Sequence, residues 1–229
     1  MTTKEEWVRE VHRVYERMKA HTEPYHALVN NLSIVVFPDV FSPAYFTDST
    51  WFAKIIPQIV GKRRFLEIGT GTGIIALSAA LAGASVVATD INPEAIRNAQ
   101  ENFAKYGVDI PLYNADIYQV LPQEKFDVIF WNHPFNKAMQ PVETMLLRAG
   151  FDYNYQGLER YIQGAREYLT EEGVLLLGTG NFSDESEIRK LASQNNYSLV
   201  LMRRQQMPLT ERSTVPNEYR IYRFQRVVT

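Results

Sequence analysis

The sequence predicts an α/β fold: a mostly parallel sheet with helices on both faces and a helical extension ahead of it. Three observations carry this. From residue 64 onward, short apolar runs alternate with helical patterns, the order that crossover helices impose on a parallel sheet. A glycine-rich turn, Gly69-Thr70-Gly71-Thr72-Gly73, falls between the first of these runs and the first of these helices. The last two apolar runs, 197–203 and 218–224, have no helical pattern between them, so they should pair antiparallel as an edge hairpin.

Ahead of the alternating region, Trp7, Val8, Val11, Val14, Tyr15 and Met18 recur at helical spacing. They predict a helix over residues 3 to about 20, closed at the latest by Pro24. Residues 32–36, Leu-Ser-Ile-Val-Val, suit a strand or extended segment. Thr47 or Asp48 can cap a short helix that packs through Trp51, Phe52, Ile55 and Ile56. Residues 64–68 predict the first core strand, and an alanine-rich helix behind the glycine turn ends at Gly83. Residues 85–90 predict the second strand. Asn92-Pro93-Glu94 then reads as a helix cap, a first-turn proline and an acid at the positive helix end. The helix behind it carries Ala95, Ile96, Ala99 and Phe103 on one face. Residues 110–116 and 126–131 predict the third and fourth strands, 158–173 a helix, 174–180 the fifth strand and 186–196 a further helix. The chain is read as one domain over 1–229, with 1–58 as N-terminal helix and extended segment and 59–229 as core.

Composition narrows the function. With 45% hydrophobic and 22% charged residues the chain belongs with globular proteins. A formal charge of −2 provides no global basic field for nucleic acid or an anionic membrane. Lys62-Arg63-Arg64 and Arg203-Arg204 read as solvated strand flanks. The absence of cysteine excludes disulfides, thiolate metal sites and a cysteine nucleophile. The histidines at 12, 21, 26 and 133 show no H-x-x-x-H pairing, so no metal site is expected. The acidic N-terminus lacks a signal-peptide core, and no apolar run approaches the ~20 residues needed to span a bilayer. A soluble cytoplasmic protein is the expectation.

The glycine turn sits between strand and helix, where it permits a tight bend and lets a ligand approach the backbone. Asp90 ends the next strand, 21 residues after Gly69, placed to accept hydrogen bonds from ribose hydroxyls. A dinucleotide site would want G-x-G-x-x-G. Here the spacing is G-x-G-x-G, Ile74 stands at the third glycine position, and Glu67 precedes the first glycine by two residues. A carboxylate there repels a pyrophosphate more than it does a zwitterionic, net-cationic ligand. A dehydrogenase remains the rival reading at the level of the cofactor.

"FLEIGTGTGIIAL", "VVATDINPEAI", "NADI" and "FDVIFWNHPF" together resemble a class I S-adenosylmethionine-dependent methyltransferase, over roughly residues 60 to 180. The resemblance implies a Rossmann-like seven-stranded sheet of order 3-2-1-4-5-7-6 with strand 7 antiparallel. It implies that Glu67, Gly69, Thr70, Gly71 and Gly73 hold the amino-acid part of the cofactor. Asp90 would hold the ribose, Ile91 would flank the adenine, and Asp116 with Ile117 would meet its amino edge.

Asn132-His133-Pro134-Phe135 follows the fourth strand. It resembles the (Asn/Asp)-Pro-Pro-(Tyr/Phe) signature of methyltransferases acting on planar nitrogen, closest to the HemK/PrmC-like small-domain group. An amide or aromatic amine is a poor nucleophile because its lone pair is delocalised. By the resemblance Asn132, which also borders the cofactor, and the carbonyl of His133 each accept one substrate N–H. Phe135 is the stacking platform and Pro134 stiffens the turn. The family has proline at position 133. The imidazole is read either as a proton acceptor or substrate contact or as a tolerated loop substitution. The resemblance implies a protein glutamine amide as acceptor. A base in nucleic acid, a small molecule, or a decayed cofactor-binding module stay open beside it, and nothing fixes an oligomeric state.

Overall fold

The computed structural model describes residues 4–213 and 215–227. The chain opens with α1 (Lys4–Lys19), a hairpin of β1 (Tyr25–Val29) and β2 (Leu32–Val36), and α2 (Asp48–Val60). The alternating region follows as β3 (Arg64–Ile68), α3 (Ile74–Leu81), β4 (Ser85–Asp90), α4 (Pro93–Lys105), β5 (Leu112–Asn114) and β6 (Phe126–Asn132). A parallel pair, β7 (Asn136–Ala138) and β8 (Phe151–Tyr153), brackets α5 (Met145–Arg148). Then come α6 (Gln156–Tyr168), β9 (Leu169–Gly180), α7 (Glu185–Gln194), β10 (Tyr197–Pro208) and β11 (Pro216–Arg226). Residue 3, included in the expected first helix, lies outside the described residues.

The central sheet has seven strands in the order β10-β11-β9-β6-β3-β4-β5. Numbered within the sheet, that is the expected 3-2-1-4-5-7-6. β3, β4, β5, β6 and β9 run parallel, while β11 is antiparallel to both β9 and β10. The helixless connection before β11 forces this reversal.

Strand periodicity divides the core. Phe65, Val128 and Phe130 pack on one face with α2, α3 and α4. Leu66, Ile68, Ile129 and Trp131 pack on the other with α6 and α7. A third cluster forms where α1 docks through Trp7, Val11, Val14, Tyr15 and Met18 against Phe46, Leu146 and Leu209. Burial of Val11, Val14 and Met18 contributes roughly 1.5–3 kcal/mol each, enough to hold a single helix against the body. Among the described residues no helix is long and apolar enough to cross a membrane.

One local expectation is sharpened and two change. The β-branched run at 32–36 is one arm of a hairpin whose two-residue turn, Asn30-Asn31, has φ of 47° and 68°. Asparagine tolerates that left-handed geometry, which two-residue hairpin turns require. Residues 169–173 join β9 instead of extending α6. Leu169 pairs with Phe126, and Thr170 donates to Asp127 at 3.2 Å. Thr47 stands at the start of α2 without capping it, because its hydroxyl donates to Pro208 O at 2.6 Å.

Candidate active site

A cavity of about 370 Å³ opens at the carboxyl ends of β3, β4 and β6, within the ~300–1,000 Å³ usual for small-molecule sites. One half is built by the glycine turn. Gly69, Gly71 and Gly73 have φ of 65°, 56° and 81°, where a side chain is strained. A Cβ on Gly69 would lie 2.7 Å from Trp131 Nε1, and one on Gly73 would lie 2.6 Å from Phe103. Gly71 differs: an added Cβ would meet nothing within 4 Å, so its backbone is open to a ligand.

Two buried carboxyls shape this half. Glu67 turns toward the loop, and its Oε2 accepts from Thr70 Oγ1 at 2.7 Å and Ala76 N at 3.0 Å. Burial pushes it up to about 8, so it is mostly protonated at pH 7. In the free protein Glu67 therefore carries little charge with which to repel a pyrophosphate. Asp90 accepts from Gly71 N at 2.8 Å and Asn92 N at 2.9 Å, and burial pushes it up to about 6. Asn92 caps α4 by accepting from Glu94 N at 3.0 Å. Ile91, beside Asp90, is 37% exposed and offers an apolar shelf. Asp116 is bound by Arg160 at 3.1 Å through both oxygens, and Ile117 holds φ of 58°, an unusual geometry for a β-branched residue.

The other half is built by Asn132-His133-Pro134-Phe135. Asn132 Nδ2 donates to Asp48 Oδ2 at 2.9 Å, which fixes the amide with Oδ1 as the free end. Asn132 Oδ1 is buried without a partner among the described residues. His133 is 1% exposed. Its Nε2 lies 2.9 Å from Thr179 Oγ1, itself 2.7 Å from Ser183 Oγ, and its Nδ1 has no partner among the described residues. Desolvation lowers its pKa to about 3. Desolvation thus favours the neutral ring near pH 7, which speaks against a proton acceptor and leaves the substrate contact and the tolerated loop substitution as the two readings. Phe135 packs over Gly180, where a Cβ would be only 3.0 Å away. Tyr155 Oη donates to Phe135 O at 2.7 Å and pins the turn.

Of the residues singled out in the sequence, Glu67, Gly69, Thr70, Gly71, Asp90, Ile91, Asp116, Ile117 and Asn132 to Phe135 line this one cavity. Gly73 does not. Its place is packing under the loop, against Phe103. Asp48 and Tyr15 also line the cavity, and sequence reasoning had assigned them to a cap and a packed helix face. Tyr15 had no signal beyond its periodicity.

Fit to S-adenosylmethionine is good in kind. An open glycine backbone, a buried aspartate ending β4 and an apolar shelf beside it suit a ribose with an attached ring system. Among the described residues no three histidines or acids gather into a metal-binding group.

The family model described as "Methyltransferase small domain" matches residues 31–202. A candidate protein N5-glutamine methyltransferase of Methanocaldococcus jannaschii is 29% identical, over 80% of this chain and 93% of its own. The ribosomal protein uL3 glutamine methyltransferase of Burkholderia pseudomallei is 37% identical, over 55% of this chain and 46% of its own. The chain thus spans less than half of the second relative. Among solved structures, the T. thermophilus 16S rRNA N2 G1207 methyltransferase superposes with a TM-score of 0.64 at 16% identity, covering 89% of this chain and 50% of its own. That likeness is one of fold.

Proposed function

The chain belongs to the methyltransferase small domain family and is an S-adenosylmethionine-dependent methyltransferase, and we propose that its acceptor is the carboxamide nitrogen of a protein glutamine. The single observation that carries this reading is Asn132. Asp48 orients its amide, its carbonyl oxygen is buried without a partner among the described residues, and the residue lines the cavity. An acceptor oxygen there is placed to take one N–H of a planar NH₂ group.

In this reading the cofactor is held by the glycine turn, Asp90 and Ile91, with Asp116 and Ile117 at the far edge. When bound, it would supply an electrophilic methyl carbon together with a sulfur leaving group. The chain's own groups do the positioning. Asn132 Oδ1 and the His133 carbonyl each accept one N–H, which favours a pyramidal nitrogen with its lone pair aimed at the methyl group. Phe135 stacks on the planar group. The neutral His133 ring fills the space behind the turn without a charge of its own. The proton lost by nitrogen passes to solvent, since no base near neutral pH is provided by His133.

The relatives named for glutamine methylation favour a protein acceptor, and so does the net charge of −2. Labelled methyl transfer on extracts depleted of RNA or of protein tests the choice. The expected result is labelling that survives RNA removal and changes little between 50 and 200 mM salt. Labelling lost on RNA removal, with a steep salt dependence, would transfer the assignment to a nucleic-acid base.

A further inference from the structure

The structure leaves five buried side-chain polar atoms without a hydrogen-bond partner among the described residues. Three of them, Tyr15 Oη, Asn132 Oδ1 and His133 Nδ1, belong to residues lining the one cavity. A buried polar atom without a partner costs stability. Three in one cavity mark a place where the fold gives up stability for a ligand.

Asn132 Oδ1 can only accept, and the preceding reading gives it a substrate N–H. Tyr15 is the complementary case. It is 2% exposed, and its ring is wedged between Phe46 and Phe151, with centroids 6.0 and 5.8 Å away. The hydroxyl therefore has little freedom to seek another partner. It lies over the backbone at Gly150, another lining residue, where an added Cβ would be 2.0 Å from the oxygen. Burial first, and the Asp48 carboxyl second, raise the phenol well above its ordinary range, so it stays an O–H donor at any physiological pH. The phenol also senses the Asp48 carboxyl, which holds the Asn132 amide, so the hydroxyl lies near the turn that carries Asn132.

A carboxamide carries two N–H donors and one carbonyl acceptor on a single plane. With the N–H groups directed to Asn132 Oδ1 and the His133 carbonyl, its oxygen still needs a donor once desolvated. We propose that Tyr15 Oη donates to the carbonyl oxygen of the acceptor carboxamide, so that α1 supplies the residue that distinguishes a carboxamide from a bare amine. This rests on the glutamine reading above. It goes beyond the family match, because that match begins at residue 31 and Tyr15 lies before it.

The test uses the full chain saturated with S-adenosylhomocysteine and two probes of equal side-chain length, N-acetylglutamine methylamide and N-acetylornithine methylamide. Binding is followed by ligand-observed NMR titration. Wild type is expected to prefer the carboxamide probe, and Tyr15→Phe to weaken it by about fivefold or more, the value of one neutral hydrogen bond. Tyr15→Phe should leave the affinity for S-adenosylhomocysteine unchanged. Its melting temperature should be equal to or above that of wild type, since an unpartnered hydroxyl is removed. A purely structural tyrosine would give a lower melting temperature. An unchanged affinity of Tyr15→Phe for the carboxamide overturns the proposal while the glutamine reading stands. So does a parallel loss of S-adenosylhomocysteine binding. Failure of wild type to bind the carboxamide, with S-adenosylhomocysteine bound normally, overturns both.

Discussion

An asparagine side chain presents an acceptor on one side and a donor on the other, nearly equal in shape. At Asn132 the choice is made by Asp48, 84 positions away in the chain. Asp48→Leu should leave Asn132 Nδ2 unpaired and the amide free to turn. The expected result is a fall in kcat of about 100-fold, with S-adenosylhomocysteine affinity held within about twofold. Asp48→Asn keeps a carbonyl to accept from Nδ2 and should recover most of the rate. Equal losses in both variants would show that the carboxyl matters for something other than amide orientation. The glycine turn gives a different prediction. Burial raises Asp90 to about 6 and Glu67 to about 8, so the folded protein keeps protons that the unfolded chain releases above ~4. Their contribution to stability is full below that pH. It is lost as pH rises through 6 for Asp90 and through 8 for Glu67. Thermal melts of the free protein should fall between pH 5 and 8.5, and Glu67→Gln should flatten the upper part of that fall. Ligand affinity provides a further check: Asp90→Ala should weaken S-adenosylhomocysteine tenfold or more by calorimetry, about 1.4 kcal/mol. At this scale the sequence located Asp90 and Asn132, because each ends an apolar strand. It could not locate the partner of Asn132, since pairing across so many positions exists only once the strands are laid side by side.

Elements were most legible where one periodicity ran unbroken. β3, β4 and β6 were readable because their buried residues serve two packed faces. β7 and β8 were not, having only three residues each, too few for a pattern to separate from its surroundings. Helix α4 shows a subtler limit. Its apolar face was visible, yet Asn98 and Asn102 are both fully buried and hold the helix to its neighbours. Asn102 accepts from Val35 N at 2.8 Å and donates to Val35 O and Thr72 O, both at 2.9 Å. Asn98 accepts from Phe37 N and donates to Val35 O, both at 2.9 Å. A polar pair on a helix usually signals solvent, and here it fastens β2 and the glycine turn to one element. Asn102→Ala should cost about 2–4 kcal/mol in urea unfolding, and it should weaken S-adenosylhomocysteine because Thr72 belongs to the turn. A loss below about 0.5 kcal/mol would mean that the freed backbone groups find water. Gly73→Ala offers a companion case: strained backbone and contact with Phe103 together should destabilise by about 1–3 kcal/mol.

On the scale of the molecule, α1 and the tip of the β10–β11 hairpin meet at the wall of the cavity. The β10–β11 hairpin extends past the sheet to Pro208 and Leu209, which accept from Thr47 Oγ1 at 2.6 Å and Thr47 N at 3.3 Å. Helix α1 lies beside it, joined by a hydrogen bond of 3.0 Å from Trp7 Nε1 to Asn217 Oδ1. Leu209→Ala should cost about 2–4 kcal/mol and raise KM for the acceptor more than for the methyl donor, because the pocket wall loosens while the glycine turn does not. A matching rise in both would place the damage in the sheet instead. The general fold was legible because alternation and an uncrossed final pair leave few topologies open, while the strand order came only with the family resemblance. The docking of α1 was not, because a helix's apolar stripe states that it packs without stating where. That docking separates two kinds of information along the chain. In the proposed reading the donor is held by residues between Glu67 and Ile117, whereas one wall of the acceptor pocket is supplied by a single sixteen-residue helix. On that reading, exchanging the helix would re-tune what the enzyme recognises without rewriting what it delivers, and acceptor choice and donor affinity would be adjustable one at a time.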